Sequence, residues 1–347
     1  MSGVRMNLVG KTSAEISRLL TPHVDRDFRC SQVARWVLDR NAATFGEMTD
    51  LPASLRERLA QTFALTEPEV VEVIDSSDDS RKYLLRLRDG VTVESVAMRD
   101  GPKVTFCLSS QAGCAVGCTF CVTGAMGAGR NLRPDEIVGQ YRVMLRDLES
   151  AAERVNVVFM GMGEPFLNTE NLGDALDVLS EKLSLKRITV STAGILPGIR
   201  WLAARPRRPK LAVSLNAPDQ KRREIIMPIA ARYPLHNLFA ELEAFPLERG
   251  RRITFEYVLI RGFNDAEADA TAVARLVSGI PAKLNVIPLN EDPECFPDLR
   301  QPESEVVDRF ASHLRDAGLT TTVRWSRGAD VAAACGQLRG RHEPAVR

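Results

Sequence analysis

The order of apolar and polar positions along the chain predicts three segments of different character. From about Arg5 to Gln61 apolar residues recur at helical spacing, and Thr12-Ser13-Ala14-Glu15 fits a capping box at the start of the first helix. The helical periodicity continues over Ser31–Asp39 and Ala53–Phe63. We therefore expect a small helical N-terminal domain over residues 1–66.

The second segment, residues 67–103, has the short alternating runs of β-strands. Asp89-Gly90 lies between the strand candidates Tyr83–Leu87 and Val91–Met98, and this dipeptide is typical of a hairpin turn. We interpret the segment as a β-hairpin extension between the helical domain and the rest of the chain.

From residue 104 to residue 347 strand-length apolar runs alternate with amphipathic helical stretches. This alternation predicts an α/β domain with a parallel sheet, either doubly wound or closed as a full or partial barrel. The predicted strands are Val104–Leu108, Val155–Met160, Arg187–Val190, Lys210–Ser214, Ile253–Ile260, Lys283–Pro288 and Thr320–Trp325. Helices are predicted, for example, over Pro134–Leu148, Asn171–Leu183 and Glu303–Ala317.

Composition narrows the class of protein. The chain has 347 residues, of which 44% are hydrophobic and 26% charged, as in ordinary globular proteins of about two domains. No run approaches 18 apolar residues, and Met1 to Leu20 lacks an apolar signal core, so we expect a cytoplasmic protein that does not span a membrane. The net charge of +1 gives no overall sign of a nucleic-acid-binding protein.

Three of the seven cysteines lie within eight residues, in Cys114-Ala-Val-Gly-Cys118-Thr-Phe-Cys121, directly after a predicted strand. In a chain without an export signal such a group indicates a metal or redox site rather than a disulfide framework. Soft thiolate ligands select zinc or an iron–sulfur cluster. No fourth ligand completes a zinc spacing, whereas three thiolates on a cubane cluster leave one iron open for a substrate. A structural zinc knot remains the alternative.

The CxxxCxxC spacing resembles that of the radical S-adenosylmethionine (SAM) superfamily. Further motifs resemble the RlmN/Cfr family of RNA adenine methyltransferases over nearly the whole chain, including the N-terminal segments. These motifs are Phe28-Arg-Cys-Ser-Gln32, Glu47-Met-Thr-Asp-Leu-Pro52, Ser109-Ser-Gln-Ala-Gly-Cys114, Gly129-Arg-Asn-Leu132, Gly161-Met-Gly-Glu-Pro165, Ser191-Thr-Ala-Gly194, Ser214-Leu-Asn-Ala-Pro218 and Ala334-Cys-Gly-Gln-Leu338.

The resemblance implies a partial parallel (β/α) barrel with an N-terminal helical accessory domain that binds RNA. It also implies a [4Fe-4S] cluster held by Cys114, Cys118 and Cys121, and two SAM molecules per turnover. In the family, the first SAM methylates a cysteine near the C-terminus. The second is cleaved to a deoxyadenosyl radical that abstracts hydrogen from the new S-methyl group, and the resulting carbon radical adds to adenine. A second cysteine resolves the adduct by forming a disulfide.

By motif, Cys335 is the methyl-carrying cysteine, Cys107 the resolving cysteine and Glu94 the proton acceptor. From the residues alone, Cys107 is equally well a buried strand thiol, as free cysteines commonly are. Cys335 lies among small residues that leave a thiol accessible. Strand alternation places Glu94 on a face of no clear character. Cys30 and Cys295 are interpreted as structural.

The cofactor-binding candidates share one position: each falls just beyond the carboxyl end of a predicted strand, where parallel α/β folds place their active sites. Asn216 stands where the family pattern has histidine, and its amide can hydrogen-bond but cannot titrate. The candidates are Gly163, Glu164, Ser191, Ser214, Leu215, Asn216 and Asn290.

The charge distribution bears on the RNA substrate that the resemblance implies. Residues 200–261 contain 13 Lys and Arg against 6 Asp and Glu, a local net charge of +7, which is suited to phosphate attraction. The basic clusters are residues 205–210, 221–223 and 249–252. The implied partners are 23S rRNA, tRNA and an electron donor such as flavodoxin, with the protein acting as a monomer.

Two alternatives to adenine-C2 methylation stay open at this point. The first is the Cfr-type reaction at adenine C8, which uses the same residues. The second belongs to another class: a non-catalytic RNA-binding protein with a structural zinc knot.

Overall fold

The computed structural model describes residues 5–148, 154–334 and 336–338. In the N-terminal region three helices pack around a core of their own that includes Ile16, Val33 and Leu59. Two short strands pair in parallel beside them, so Met6–Asn7 is extended where the periodicity predicts helix. The elements are β1 (Met6–Asn7), α1 (Ser13–Leu20), α2 (Phe28–Leu38), α3 (Ala53–Thr62) and β2 (Phe63–Ala64).

The predicted capping box at the first helix is confirmed. The backbone N–H of Glu15 donates to the Thr12 hydroxyl at 3.3 Å, and the backbone N–H of Thr12 donates to the Glu15 carboxylate at 2.9 Å. Both otherwise unpaired amide groups are thereby satisfied, which fixes where α1 begins.

The remainder of the described chain alternates strands and helices. Its first part contains β3 (Glu69–Asp75), β4 (Ser80–Arg86), β5 (Thr92–Asp100), β6 (Lys103–Cys107), β7 (Gln111–Ala112), α4 (Val122–Ala125), β8 (Arg130–Asn131), α5 (Pro134–Asp147), β9 (Arg154–Phe159), α6 (Thr169–Ser180), β10 (Ile188–Thr192) and α7 (Leu196–Ala204). Its second part contains β11 (Lys210–Ser214), α8 (Gln220–Ile226), α9 (Leu235–Glu243), β12 (Ile253–Leu259), α10 (Glu267–Val277), β13 (Ala282–Pro288), α11 (Ser304–Asp316) and β14 (Thr320–Val323).

Ten strands form one sheet in the order β14-β13-β12-β11-β10-β9-β6-β5-β4-β3. The seven strands from β6 to β14 in this sheet run parallel, as the sequence predicts. The hairpin predicted around Asp89-Gly90 is also confirmed, with β4 antiparallel to β5. The 67–103 extension is larger than a hairpin, however: β3, β4 and β5 continue the main sheet in antiparallel fashion through β6.

Alternate side chains of the parallel strands face two different environments. Phe255 and Tyr257 on β12 stack on Phe239 of α9 and Phe310 of α11, so these positions face the surrounding helices. The residues between them, such as Glu256, therefore face the interior of the curved sheet.

The segment after β14 joins the two ends of the sheet. It leaves the β14 edge and reaches the antiparallel strands, where the backbone N–H of Gly328 donates to Asp78 at 2.8 Å and Ser76 donates to Asp330 at 2.6 Å. The sheet is thus curved into a partial barrel, and the described residues of the crossing segment, 327–334 and 336–338, lie across its opening. Among the described residues, none of the helices combines the length and apolar character required of a membrane span.

Candidate active site

The cysteine motif lies in the loop between β6 and α4, at the carboxyl edge of the parallel strands. The loop is closed by pairing of β7 with β8, which brings Gln111 opposite Asn131. Gly129 has no space for a side chain, since a Cβ there would lie 1.5 Å from the carbonyl oxygen of Ala112. The motifs at residues 109–114 and 129–132 therefore pack against each other and close the loop that carries the three cysteines.

The three thiols are partly buried and close enough to affect one another's ionisation. Burial, together with the charges of Glu164 and Cys121, raises the pKa of Cys114 to about 12. Burial raises the pKa values of Cys118 and Cys121 as well. The thiolate forms therefore require a bound cation to neutralise them.

These three residues supply the soft thiolate ligands that an iron–sulfur cluster takes. Among the described residues, no group of three or more His, Cys, Asp and Glu side chains is arranged to hold one ion. A polynuclear cluster does not need such an arrangement, because each thiolate binds a different iron atom.

Glu164 lies at the end of β9 with its carboxylate turned into the same region. The carboxylate accepts hydrogen bonds from the backbone N–H groups of Ala193 at 2.7 Å and Phe166 at 3.0 Å. Burial raises the pKa of Glu164 to about 7. A cationic ligand such as the ammonium of a bound amino acid would stabilise this carboxylate, which suits a cofactor-binding residue.

Gly163 places Glu164 by a close backbone approach to Gln111. It has φ of +95°, and a Cβ there would lie 2.7 Å from the backbone nitrogen of Gln111. The Gln111 side chain then accepts a hydrogen bond from the backbone N–H of Glu164 at 2.8 Å. Gln111 is a positioning residue that the sequence motif contains but that the sequence analysis did not single out.

Arg223 was also missed, because it lies in a run that the sequence analysis interpreted as a surface cluster. Its guanidinium is 0% exposed and donates to the carbonyls of Ala193 at 2.6 Å and Ser214 at 3.1 Å, at the ends of β10 and β11. Its Nη1 atom has no hydrogen-bond partner within the part of the chain that the structure describes. Its charge partly opposes the rise that burial causes in the pKa of Cys118, so this buried cation lies beside the cysteine loop.

The other predicted cofactor-binding residues occupy the carboxyl edge as expected. Ser191 and Ser214 are half-buried at the ends of β10 and β11 and face the barrel interior. Asn216 is 2% exposed, and its side-chain oxygen accepts from the backbone N–H of Val258 at 2.9 Å. Leu215 is buried and Asn290 accepts a hydrogen bond from Ser326.

A buried pair of charged residues lies on β4 and β5, the strands that continue the sheet beyond β6. Glu94 on β5 is 1% exposed and its carboxylate is 3.5 Å from the ammonium of Lys82 on β4. Cys107 is buried at the end of β6, and Ser109, two residues further on, donates to the Glu94 carbonyl at 2.6 Å. Glu94 and Cys107 are thus brought to one face of the sheet, together with Lys82, which the sequence analysis missed.

Cys335 lies outside the described residues, but residues on either side of it are described. The carbonyl of Gly336 accepts from the backbone N–H of Val122 at 2.6 Å, and the carbonyl of Leu338 accepts from the Thr123 hydroxyl at 2.8 Å. On the other side, the Ala332 carbonyl accepts from Lys82 at 3.3 Å. The residues flanking Cys335 therefore contact both the cysteine loop and the Lys82–Glu94 pair.

The basic clusters do not form one surface around this site. Residues 205–210 and 249–252 precede β11 and β12, so they lie at the amino edge of the strands, opposite the cysteine loop. The third cluster is on α8 at the carboxyl edge, where Lys221 is exposed. Arg222 pairs with Asp269 at 2.7 Å, and buried Arg223 offers nothing to an RNA phosphate.

Comparison with known proteins gives concordant results over both parts of the chain. Residues 108–273 match the family model of the radical SAM superfamily, and residues 6–65 match the ribosomal RNA large subunit methyltransferase N-terminal domain.

Curated relatives match almost end to end. A dual-specificity RNA methyltransferase RlmN of Anaeromyxobacter dehalogenans is 46% identical over 92% of this chain and 88% of that protein. Another from Geotalea uraniireducens is 41% identical over 99% of both chains. The crystal structure of a radical SAM methyltransferase from Sphaerobacter thermophilus superimposes with a TM-score of 0.92 at 41% identity, covering 97% of this chain and 100% of that one.

Proposed function

The chain belongs to the RlmN family of dual-specificity radical SAM RNA methyltransferases, and from that premise we propose that it methylates C2 of adenine in 23S rRNA and in tRNA next to the anticodon. An aromatic carbon of adenine cannot displace a methyl group from a sulfonium as a nitrogen would. A radical route through a protein-bound methyl group avoids that difficulty.

The residues of the cysteine loop suit the cofactors that this reaction needs. Cys114, Cys118 and Cys121 would hold a [4Fe-4S] cluster, while Glu164 and the residues at the ends of β10 and β11 would orient SAM. When bound, the cluster and SAM supply one-electron reductive cleavage that generates a carbon radical. We propose two SAM molecules per turnover, one for methyl transfer to Cys335 and one for the radical.

The chain's own residues complete the reaction. Cys335 carries the methyl group. After its carbon is joined to adenine, the Cys107 thiolate attacks the Cys335 sulfur and a disulfide forms; the bond from that sulfur to carbon breaks, and the carbon leaves with the electron pair and takes up a proton to complete the new methyl group. Glu94 accepts the proton that the substituted adenine carbon loses. The same residues would serve methylation at C8, so the nucleoside product decides between the two positions.

One observation carries the proposal: the chain on both sides of Cys335 meets the cysteine loop and the face that bears Cys107 and Glu94. Gly336 contacts the loop immediately beside Cys121, with its carbonyl bonded to Val122. This arrangement supports a short path from the cofactor site to the two redox cysteines. An electron donor such as flavodoxin would reduce the cluster, and we expect a cytoplasmic monomer.

Two single substitutions test these roles. Cys107→Ala should leave enzyme and RNA covalently joined, because the adduct can form but cannot be resolved. Cys335→Ala should abolish methylation without an adduct, and Cys30→Ala, in the N-terminal core, should behave as wild type. The adduct is measured by denaturing gel electrophoresis with labelled RNA. Identical behaviour of the Cys107 and Cys335 variants would contradict the assigned roles.

A further inference from the structure

Lys82 has no role in the mechanism so far, yet it is buried between two parts of the site. We propose that Lys82 is a positioning residue that fixes residues 328–334, which lead into Cys335, over the face bearing Glu94 and Cys107, and so sets how readily Cys107 and Cys335 form their disulfide. This inference rests on the proposed function.

The contacts of the Lys82 ammonium carry the argument. The side chain is 2% exposed; its Nζ atom lies 3.5 Å from a carboxylate oxygen of Glu94 and donates to the carbonyl of Ala332 at 3.3 Å. A buried ammonium is retained only where its charge and its hydrogens are matched. Lys82 contacts Glu94 on the sheet and the Ala332 carbonyl on the crossing segment, so it holds the segment against the sheet.

Strand register places these groups on one face. Lys82 on β4 is opposite Val96 on β5, and Val96 is opposite Cys107 on β6. Residues directly opposite in a ladder share a face, and neighbouring strands are about 4.8 Å apart, so the Cα atoms of Lys82 and Cys107 are roughly 10 Å apart. Glu94 lies two residues from Val96 and therefore on that same face.

The crossing segment is anchored on both sides of Ala332. Gly328 and Asp330 bond to the β3–β4 turn, and Gly336 and Leu338 bond to α4. Ala332 itself has φ of +50°, a conformation that non-glycine residues rarely adopt. Such a residue persists where its surroundings hold it, and the Lys82 hydrogen bond is made to its carbonyl. The bond thus acts on the turn that leads into Cys335.

The test measures disulfide formation directly, without RNA or turnover. Cluster-loaded full-length protein is equilibrated in glutathione redox buffers under anaerobic conditions, so that oxidised glutathione takes up two electrons and becomes two thiols as the Cys107–Cys335 bond forms. The fraction of the linked peptide is read by mass spectrometry after thiol blocking, and it gives the equilibrium constant for that one pair.

We expect Lys82→Met to lower this constant at least tenfold, and Lys82→Arg to restore it to within about threefold of wild type, because arginine keeps both the charge and a donor. Lys103→Met, at an exposed position at the start of β6, is the matched control and should leave the disulfide constant unchanged. Iron content and thermal unfolding of each variant separate a lost fold from a lost position. If Lys82→Met does not fold, Lys82→Gln replaces it, with a decrease of at least threefold expected.

The outcomes test the role of Lys82 separately from the proposed function. A wild-type disulfide constant in a folded Lys82→Met or Lys82→Gln variant would overturn the role of Lys82 while leaving the proposed function intact. Failure of the wild-type protein to form any Cys107–Cys335 disulfide would instead contradict the proposed function. An equal loss in Lys82→Arg and Lys82→Met would also overturn the role, since it would mean that any change at this buried position disturbs the segment.

Discussion

Replacing Gly163 by alanine tests whether the loop after β9 is a cradle for SAM. At φ of +95° the alanine Cβ would lie 2.5 Å from Cβ of Gln111 and 2.7 Å from its backbone nitrogen. The backbone conformation costs about 1–3 kcal/mol for a residue other than glycine. Overpacking against a neighbour that cannot move freely costs a further ~1–3 kcal/mol. The variant should therefore be less stable by about 2–6 kcal/mol.

The same change should weaken SAM binding, because Gln111 holds Glu164 through a hydrogen bond of 2.8 Å. Misplacing a carboxylate that binds a cation loses about 1.5–3 kcal/mol of interaction. We therefore expect SAM to bind roughly 10–100-fold more weakly. The assay is isothermal titration of cluster-loaded protein with SAM, with iron content measured in parallel.

Gly250 provides the matched control. It has φ of +76°, but a Cβ there would meet nothing within 4 Å. Gly250→Ala should thus show only the conformational cost of about 1–3 kcal/mol and bind SAM as wild type does. If folded Gly163→Ala binds SAM with wild-type affinity, the loop after β9 does not form part of the SAM-binding site.

Three further changes probe the same site. Cys118→Ser should lose the cluster iron, whereas Cys295→Ser, at an exposed position, should keep it; retention of iron by both would sink the ligand assignment. Burial raises the pKa of Glu164 to about 7, above its usual 4.5, so the folded state holds that proton more tightly than the unfolded state. Stability of cluster-free protein should then fall as pH rises through this interval, and Glu164→Gln should remove up to ~3 kcal/mol of that fall. Urea unfolding of wild type and Glu164→Gln at pH 5 and pH 8 measures this fall in stability. The same pH dependence in both proteins would refute the role given to Glu164. Arg223→Met should lower the reduction potential of the cluster by tens of millivolts, which is on the order expected for removing a unit charge at an effective dielectric constant near 20. Arg223→Lys keeps the charge and should therefore keep the potential close to that of wild type. A redox titration in which Arg223→Met has the wild-type potential would refute an electrostatic role of Arg223 at the cluster.

The repeating core was predictable because its strands are buried on both faces. The seven predicted parallel strands agree with the structure to within one or two residues at their ends, since apolar runs such as Val157–Met160 leave little ambiguity. The capping box at Thr12 and the turn at Asp89-Gly90 were equally local and equally clear.

The polar interior was harder to predict, because it depends on pairs of residues that are distant in sequence. Arg223 belongs by composition to a surface cluster, but it is buried against strand ends that only the fold brings together. Lys82 follows Ser80 and Arg81 on β4, and such a polar run is typical of an exposed strand end, so the local sequence does not indicate a buried, paired lysine. Its partners, Glu94 and Ala332, are 12 and 250 positions away.

The central claim is tested most directly by identifying the methylated nucleoside. RNA from a strain lacking its own adenine-C2 methyltransferase is incubated with reconstituted enzyme, SAM and a reductant, then digested and analysed by mass spectrometry against authentic standards. We predict 2-methyladenosine in both 23S rRNA and tRNA, and none with Cys335→Ala. Finding 8-methyladenosine alone would contradict the account.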